Sequence, residues 1–183
     1  YTASEIQPDM LNADITKTTD SPSWGGLYLQ YFEKFDQVQQ QKGILSVTKK
    51  LFIEKIGSDG KQELLPLGKE KLKTGDKVIT RLTLSLKQDM DFLYLKDFRA
   101  ACFEPIGQLS GNQWKFGTVY YEESKDAVTN FFFNSLAKGT YVLEYPVWVN
   151  QAGTYQDGIA TFQSMYAPEY TAYSEAGKIT VTK

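Results

Sequence analysis

Apolar and polar residues alternate with a period of two along much of the chain, a pattern typical of β-strands that bury one face. The clearest example runs from Val78 to Lys87, where every second residue is Val, Thr or Leu. No segment keeps a helical period, although the pattern leaves room for a short helix around residues 34–42. Further strands are predicted at residues 24–35, 44–53, 64–67, 92–99, 114–121, 128–134, 139–150, 159–166 and 173–181.

Glycine-containing turn signals separate these strands. The Gly-Ser-Asp-Gly sequence at 57–60 and the Gly75-Asp76 pair are typical of tight connections between neighbouring strands. Many short strands at this spacing indicate an all-β protein with an antiparallel β-sandwich fold.

Composition limits the partners of such a domain. The 183 residues carry 20 Lys and Arg against 22 Asp and Glu, so the net charge is -2. This balance gives no basic surface, and we expect no nucleic-acid partner and no direct membrane contact. No apolar run approaches the roughly 18 residues of a transmembrane helix. The chain starts at Tyr1 without a signal peptide, so we expect a fragment of a larger protein.

The residue inventory excludes several kinds of catalytic site. The chain has no histidine, which rules out Ser-His-Asp catalysis and zinc sites that need imidazole. Cys102 is the only cysteine, and its neighbours Ala101 and Phe103 predict a buried, unreactive thiol. Asp97 and Arg99 are two residues apart on a strand, so we predict that they form a structural ion pair. We therefore expect no enzyme activity, no cofactor and no metal.

Two other functions remain open at this point. A free-standing β-sandwich that binds a carbohydrate or protein ligand would be favoured if Trp24, Trp114 and Trp148 were exposed on one sheet face. A hydrolase would need two carboxylates converging in a cleft, and no acidic pair stands out in the sequence.

Three stretches carry a family resemblance. The first is WGGLYLQYFE at residues 24–33, and the second combines Gly75-Asp76 with LKDFRAACFEP at 95–105. The third combines KGTYVLEY at 138–145 with MYAPEY at 165–170. In this order and spacing they resemble the C-terminal region of bacterial alpha-2-macroglobulin family proteins. The resemblance implies a C-terminal macroglobulin-like domain at residues 24–183, and an entering segment at 1–23 that ends the preceding domain.

The resemblance also implies a role and a location. Family members are large protease inhibitors, so the domain is expected to pack, as an immunoglobulin-like or macroglobulin-like sandwich, against other macroglobulin-like domains of the same parent chain. Proteases would be met only through the full-length protein. The expected location is the periplasmic or extracellular face of the cell envelope. The family's thioester motif is absent, because Cys102 is followed by Phe-Glu-Pro.

Candidate site residues follow from the same resemblance. In bacterial members with a thioester, the C-terminal domain covers it and a tyrosine shields it from water. Tyr166 is the preferred candidate for that role, with Tyr120 and Tyr121 as alternatives. Met165, Pro168 and Tyr170 are expected to belong to the same interface. The alternative is that these side chains close one end of the sandwich core.

Overall fold

The chain divides into two compact units, Tyr1–Phe32 and Glu33–Lys183. The computed structural model describes residues 2, 4–12, 14–25, 30, 32–68, 71–107 and 109–183. The first unit contains a 3-10 helix at Pro8–Leu11. The strand predicted over 24–35 is absent from the described residues of that stretch, while 26–29 and 31 lie outside them. A 3-10 helix at Phe35–Gln37 stands where the sequence left room for a short helix.

The second unit is built from β-strands. Its described residues form β1 (Leu45–Ile56), β2 (Gln62–Pro66), β3 (Leu72–Lys73), β4 (Lys77–Leu86), β5 (Met90–Phe98), β6 (Phe103–Pro105), β7 (Gly111–Lys115), β8 (Thr118–Ser124), β9 (Val128–Leu136), β10 (Gly139–Val149), β11 (Gly153–Asp157), β12 (Ala160–Ser164), β13 (Thr171–Tyr173) and β14 (Gly177–Thr182).

These strands form three sheets. One has five strands in the order β2-β1-β4-β10-β6, and another has six in the order β13-β12-β5-β9-β8-β7. A third, smaller sheet has the order β11-β14-β3. Neighbouring strands are antiparallel, apart from the parallel pair β14 and β3. The predicted all-β, antiparallel sandwich is confirmed.

Alternation along the strands builds the core. The period-two residues of β4 that were predicted to face inward are all buried, from Val78 to Leu86. The six-stranded sheet contributes large aromatic side chains, among which Phe131, Phe133 and Phe162 are at most 2% exposed. Burying a side chain of this size stabilises the folded state by about 1.5–3 kcal/mol.

The structure corrects several strand predictions, among them the single strand predicted at 173–181, which divides between β13 and β14 of different sheets. The single strand predicted at 114–121 is instead a hairpin, in which Trp114 of β7 pairs with Val119 of β8. Phe116 and Gly117 form its tip, with φ angles of 56° and 76°. Positive φ at both central residues is the geometry of a tight hairpin turn, usually signalled by Asn-Gly rather than Phe-Gly. The strand β11 was not predicted at all.

The predicted ion pair between Asp97 and Arg99 is also wrong. Asp97 pairs with Lys49, whose amine lies 3.0 Å from the Asp97 Oδ1 atom in the core. Arg99 instead donates hydrogen bonds to the hydroxyl of Thr129 and to the carbonyl oxygens of residues 125 and 126. The partner of Asp97 therefore comes from the facing sheet, which spacing along one strand could not reveal.

Helical membrane spans and metal-binding clusters are both absent from the described residues. None of the helical segments in this part of the chain could serve as a transmembrane span. The same part of the chain contains no group of three or more Cys, Asp or Glu side chains arranged to hold a metal ion.

Candidate docking surface

The loop after β12 is held in a fixed shape by its own hydrogen bonds. The Ser164 amide donates to the Tyr170 carbonyl oxygen at 3.1 Å, and the Tyr170 amide donates to the Ala167 carbonyl oxygen at 2.9 Å. The Ala167 amide donates in turn to the Ser164 hydroxyl at 3.3 Å. Residues 165–169 thus form a closed turn, so the backbone of this loop needs little ordering when a partner binds.

Two apolar side chains of this loop point into solvent. Tyr166 is 78% exposed and Met165 is 50% exposed. Beside them lies Phe92 of β5, which is 48% exposed and contacts the Tyr166 ring edge-on at a centroid distance of 5.2 Å. The Met165 amide donates a 2.9 Å hydrogen bond to the Phe92 carbonyl oxygen. We call Phe92, Met165, Tyr166 and the exposed Pro168 the Phe92–Tyr166 patch.

The other predicted site residues lie elsewhere. Tyr170 is half-buried and packs against the core. Tyr120 is a core residue, 3% exposed, and burial together with the charge of Glu122 raises its pKa to about 12. Tyr121 is 42% exposed, on the outer face of the six-stranded sheet beside Phe132. The structure therefore groups Met165, Tyr166 and Pro168 and separates both alternative tyrosines from them.

Phe92 is the member of the patch that the sequence did not reveal. Its φ angle is 52°, in the left-handed region that bulky residues rarely adopt. Such a backbone costs about 1–2 kcal/mol, and residues held in this way cluster at binding sites. The alternation of apolar and polar residues along a strand cannot reveal that one residue, here Phe92, has a left-handed backbone.

The patch is suited to apolar packing. It combines two aromatic rings, a thioether and a proline, and aromatic residues and methionine are enriched in the cores of protein interfaces. Its sequence neighbours Asp91 and Glu169 are exposed carboxylates that place negative charge at its margin. This is the arrangement of an apolar contact area with a polar rim.

Comparison with known proteins agrees with the resemblance found in the sequence. The family model described as the bacterial alpha-2-macroglobulin MG10 domain matches residues 45–169. The chain belongs to the bacterial alpha-2-macroglobulin family. The matched part runs from β1 to the loop that carries Met165 and Tyr166.

Solved structures show the same fold. The chain superposes on Salmonella alpha-2-macroglobulin reacted with methylamine with a TM-score of 0.61 at 20% identity, over 80% of this chain and 10% of that one. For the native conformation of E. coli alpha-2-macroglobulin the TM-score is 0.60 at 18% identity, over 85% and 10%. An E. coli structure spanning MG7 to the C-terminus gives 0.57 at 17% identity, over 79% and 24%. The chain thus spans a tenth to a quarter of the length of these relatives. A comparison with curated proteins found no match.

The tryptophan arrangement does not suit a flat carbohydrate platform on this MG10-type domain. Trp114 is 80% exposed on the outer face of the six-stranded sheet, at its edge strand β7. Trp148 is 45% exposed and belongs to β10 of the five-stranded sheet. Trp24 belongs to the first unit. Trp114 and Trp148 therefore do not share a sheet face.

Proposed function

We propose that this MG10-type domain is a non-catalytic packing module of a longer chain, and that its Phe92–Tyr166 patch docks on a neighbouring domain of that chain. The observation that carries the proposal is the 78% exposure of Tyr166 on a loop closed by hydrogen bonds. A fixed aromatic side chain costs little entropy to bury, so it favours a permanent contact. The chain covers only 24% and 10% of two relatives, so a parent chain of similar length would contain other domains that could be this neighbour.

Shielding of a thioester is the finer form of the proposal. If the parent chain contains a thioester, an apolar cover of Tyr166 and Met165 would exclude water from it. A dry environment is what a hydrolysable acyl group needs to survive. Pro168 and Phe92 would hold the rim of that cover in place. Tyr120 has no part in this role, because its side chain is inside the sandwich.

The descriptions of two relatives support an interaction of the parent protein with proteases. One E. coli relative is described as activated by porcine elastase, and another as activated by trypsin. We propose that proteases likewise meet this protein through its full-length chain, on the periplasmic or extracellular face of the cell envelope. In this proposal the domain itself acts on no substrate.

Hydrogen exchange on the complete parent protein tests the docking proposal. Amides of residues 165–170 should exchange more slowly in the parent protein than in the 183-residue chain. Tyr166→Ala should remove that extra protection. Trp114→Ala is the matched control, because Trp114 is equally exposed (80%) but lies on another edge of the sandwich. Equal exchange of this loop in both proteins would show that nothing covers it.

A further inference from the structure

A charged cluster in the core plays no part in the docking surface. The Lys49 side chain points inward from β1 and is 2% exposed. Its Nζ atom lies 3.0 Å from Oδ1 of Asp97, at the end of β5, and 2.9 Å from Oδ1 of Asp157, at the end of β11. The Asp97 side chain is fully buried, and that of Asp157 is 15% exposed. An amine and two carboxyl groups from three distant parts of the chain thus meet in direct contact.

The surrounding atoms fix this contact. The Lys49 amine also donates to the carbonyl oxygens of Phe98 at 2.7 Å and Gly158 at 2.9 Å. The Tyr145 hydroxyl donates to Oδ2 of Asp97 at 2.5 Å. A Cβ atom on Gly158 would lie 2.0 Å from the Phe98 carbonyl oxygen. Only glycine therefore lets the corner after β11 approach closely enough to bring Asp157 to the amine.

Burial and charge act in opposite directions on the pKa values of Lys49 and Asp157. Burial alone would lower the pKa of Lys49, but attraction to Asp97 and Asp157 outweighs burial and raises it. Burial raises the pKa of Asp157, and Lys49 offsets this only in part. The carboxyl whose pKa is raised by burial, Asp157, therefore lies in contact with the Lys49 amine, and the Asp97 carboxyl contacts the same amine from the other strand.

We propose that Lys49 and Asp157 join in an intramolecular amide bond, with Asp97 as the proton acceptor. Asp97 takes one proton from the Lys49 ammonium group, and the freed lone pair attacks the carboxyl carbon of protonated Asp157. The nitrogen–carbon bond forms as the bond from that carbon to the hydroxyl breaks. The hydroxyl leaves as water with a second proton from the nitrogen. The products are one amide, one water molecule and a protonated Asp97.

Two physical effects favour this reaction in the folded chain. Buried charges are costly even when paired, and amide formation replaces one buried ammonium and one buried carboxylate by neutral groups. Contact geometry also replaces a bimolecular encounter, which accelerates reactions between held groups by a large factor. The water molecule released by the reaction can leave through a cleft of about 510 Å³, which is lined by Lys49 and Asp157 and bordered by Leu51, Leu67 and Ile179. The bond would tie β1 to the corner between β11 and β12.

Mass spectrometry of the denatured, purified chain tests the proposal. The intact mass should be lower than the sequence mass by one water molecule. Trypsin should fail to cut after Lys49, and peptide 43–50 should be found joined to peptide 139–178, which contains Asp157. An intact mass equal to the sequence mass, with free peptide 43–49, would overturn the proposal.

A second source of water loss needs its own control. Asp157 precedes Gly158, and an Asp-Gly pair can lose water by closing on its own backbone into a succinimide. Water loss confined to peptide 139–178, with free peptide 43–49, would therefore overturn the proposal too. Lys49→Arg keeps the charge but should restore the sequence mass. Asp97→Asn should prevent the cross-link, and a wild-type cross-link to peptide 97–99 would refute the assignment of Asp157.

Discussion

The ring of Phe92 meets the ring of Tyr166 edge-on, with the centroids 5.2 Å apart and the planes at 88°. An edge-to-face pair of this kind contributes about 0.5–1.5 kcal/mol beyond simple burial. Tyr166 is therefore restrained by a neighbour although most of its surface faces solvent. A side chain that is both exposed and restrained is prepared for a partner, and the first prediction concerns the residue that restrains it.

Phe92→Gly should weaken docking within the parent protein while leaving the isolated domain almost unchanged. Glycine relieves the left-handed backbone, a gain of about 1 kcal/mol that offsets the lost ring contact. Urea unfolding and hydrogen exchange of residues 165–170 measure the two effects. Phe116→Gly is a matched control, because Phe116 also has a positive φ angle and is 43% exposed at the β7–β8 tip. Equal loss of loop protection in both variants would contradict a specific role for Phe92.

Gly158→Ala should destabilise the domain by about 3 kcal/mol, at the upper end of the cost of overpacking. The added methyl group would lie 2.0 Å from a backbone oxygen, so the strand ends must separate. Gly43→Ala is the control, since a Cβ atom there meets nothing within 4 Å. Chemical denaturation of both variants measures the difference. If Gly158→Ala and Gly43→Ala had the same free energy of unfolding, the close approach of residue 158 to the Phe98 carbonyl oxygen would not matter for stability.

The domain should lose stability as the pH rises from about 10 to about 12. An unfolded tyrosine ionises near pH 10, whereas folding raises the pKa of Tyr120 to about 12 through burial. Between these values the unfolded state binds fewer protons, so the free energy of unfolding falls with pH. Tyr120→Phe should reduce that slope in urea titrations at several pH values. Parallel curves for wild type and variant would mean that the Tyr120 hydroxyl is not protected by folding.

Cys102 should react with thiol reagents only when the domain opens. Its side chain is fully buried, and burial raises the pKa of the thiol to about 11, which leaves little thiolate near neutral pH. Labelling followed in increasing urea should accelerate in parallel with unfolding. Rapid stoichiometric labelling without denaturant would place the thiol at the surface instead.

The sequence predicted the parts of the fold that depend on regular alternation. The β4 strand alternates through its whole length and was recognised, as were the long strands near residues 92–99, 128–134 and 139–150. The turn at Phe116–Gly117 was missed because Phe is an unusual residue for a left-handed turn position. The strand β11 was missed because Gly153–Asp157 is short and lies at the edge of the small sheet.

The candidate surface was predictable only in part. The family motif pointed to Met165 and Tyr166, but it gave no sign of Phe92, which reaches them through a left-handed backbone on another strand. The buried contact between Lys49 and Asp97 was hidden for a similar reason. These residues belong to different sheets, and their pairing depends on how the sheets face each other rather than on spacing along the chain.

The effect of Tyr166→Ala on the free energy of unfolding, compared between the isolated chain and the parent protein, tests the docking claim most directly. Surface substitutions usually change stability by little, so the isolated chain should stay within about 1 kcal/mol of wild type. In the parent protein the same variant should destabilise this domain clearly more, because the docked contact is lost there. A loss of about 3–5 kcal/mol in the isolated chain, as for a core aromatic, or an equal effect in both proteins, would contradict the account.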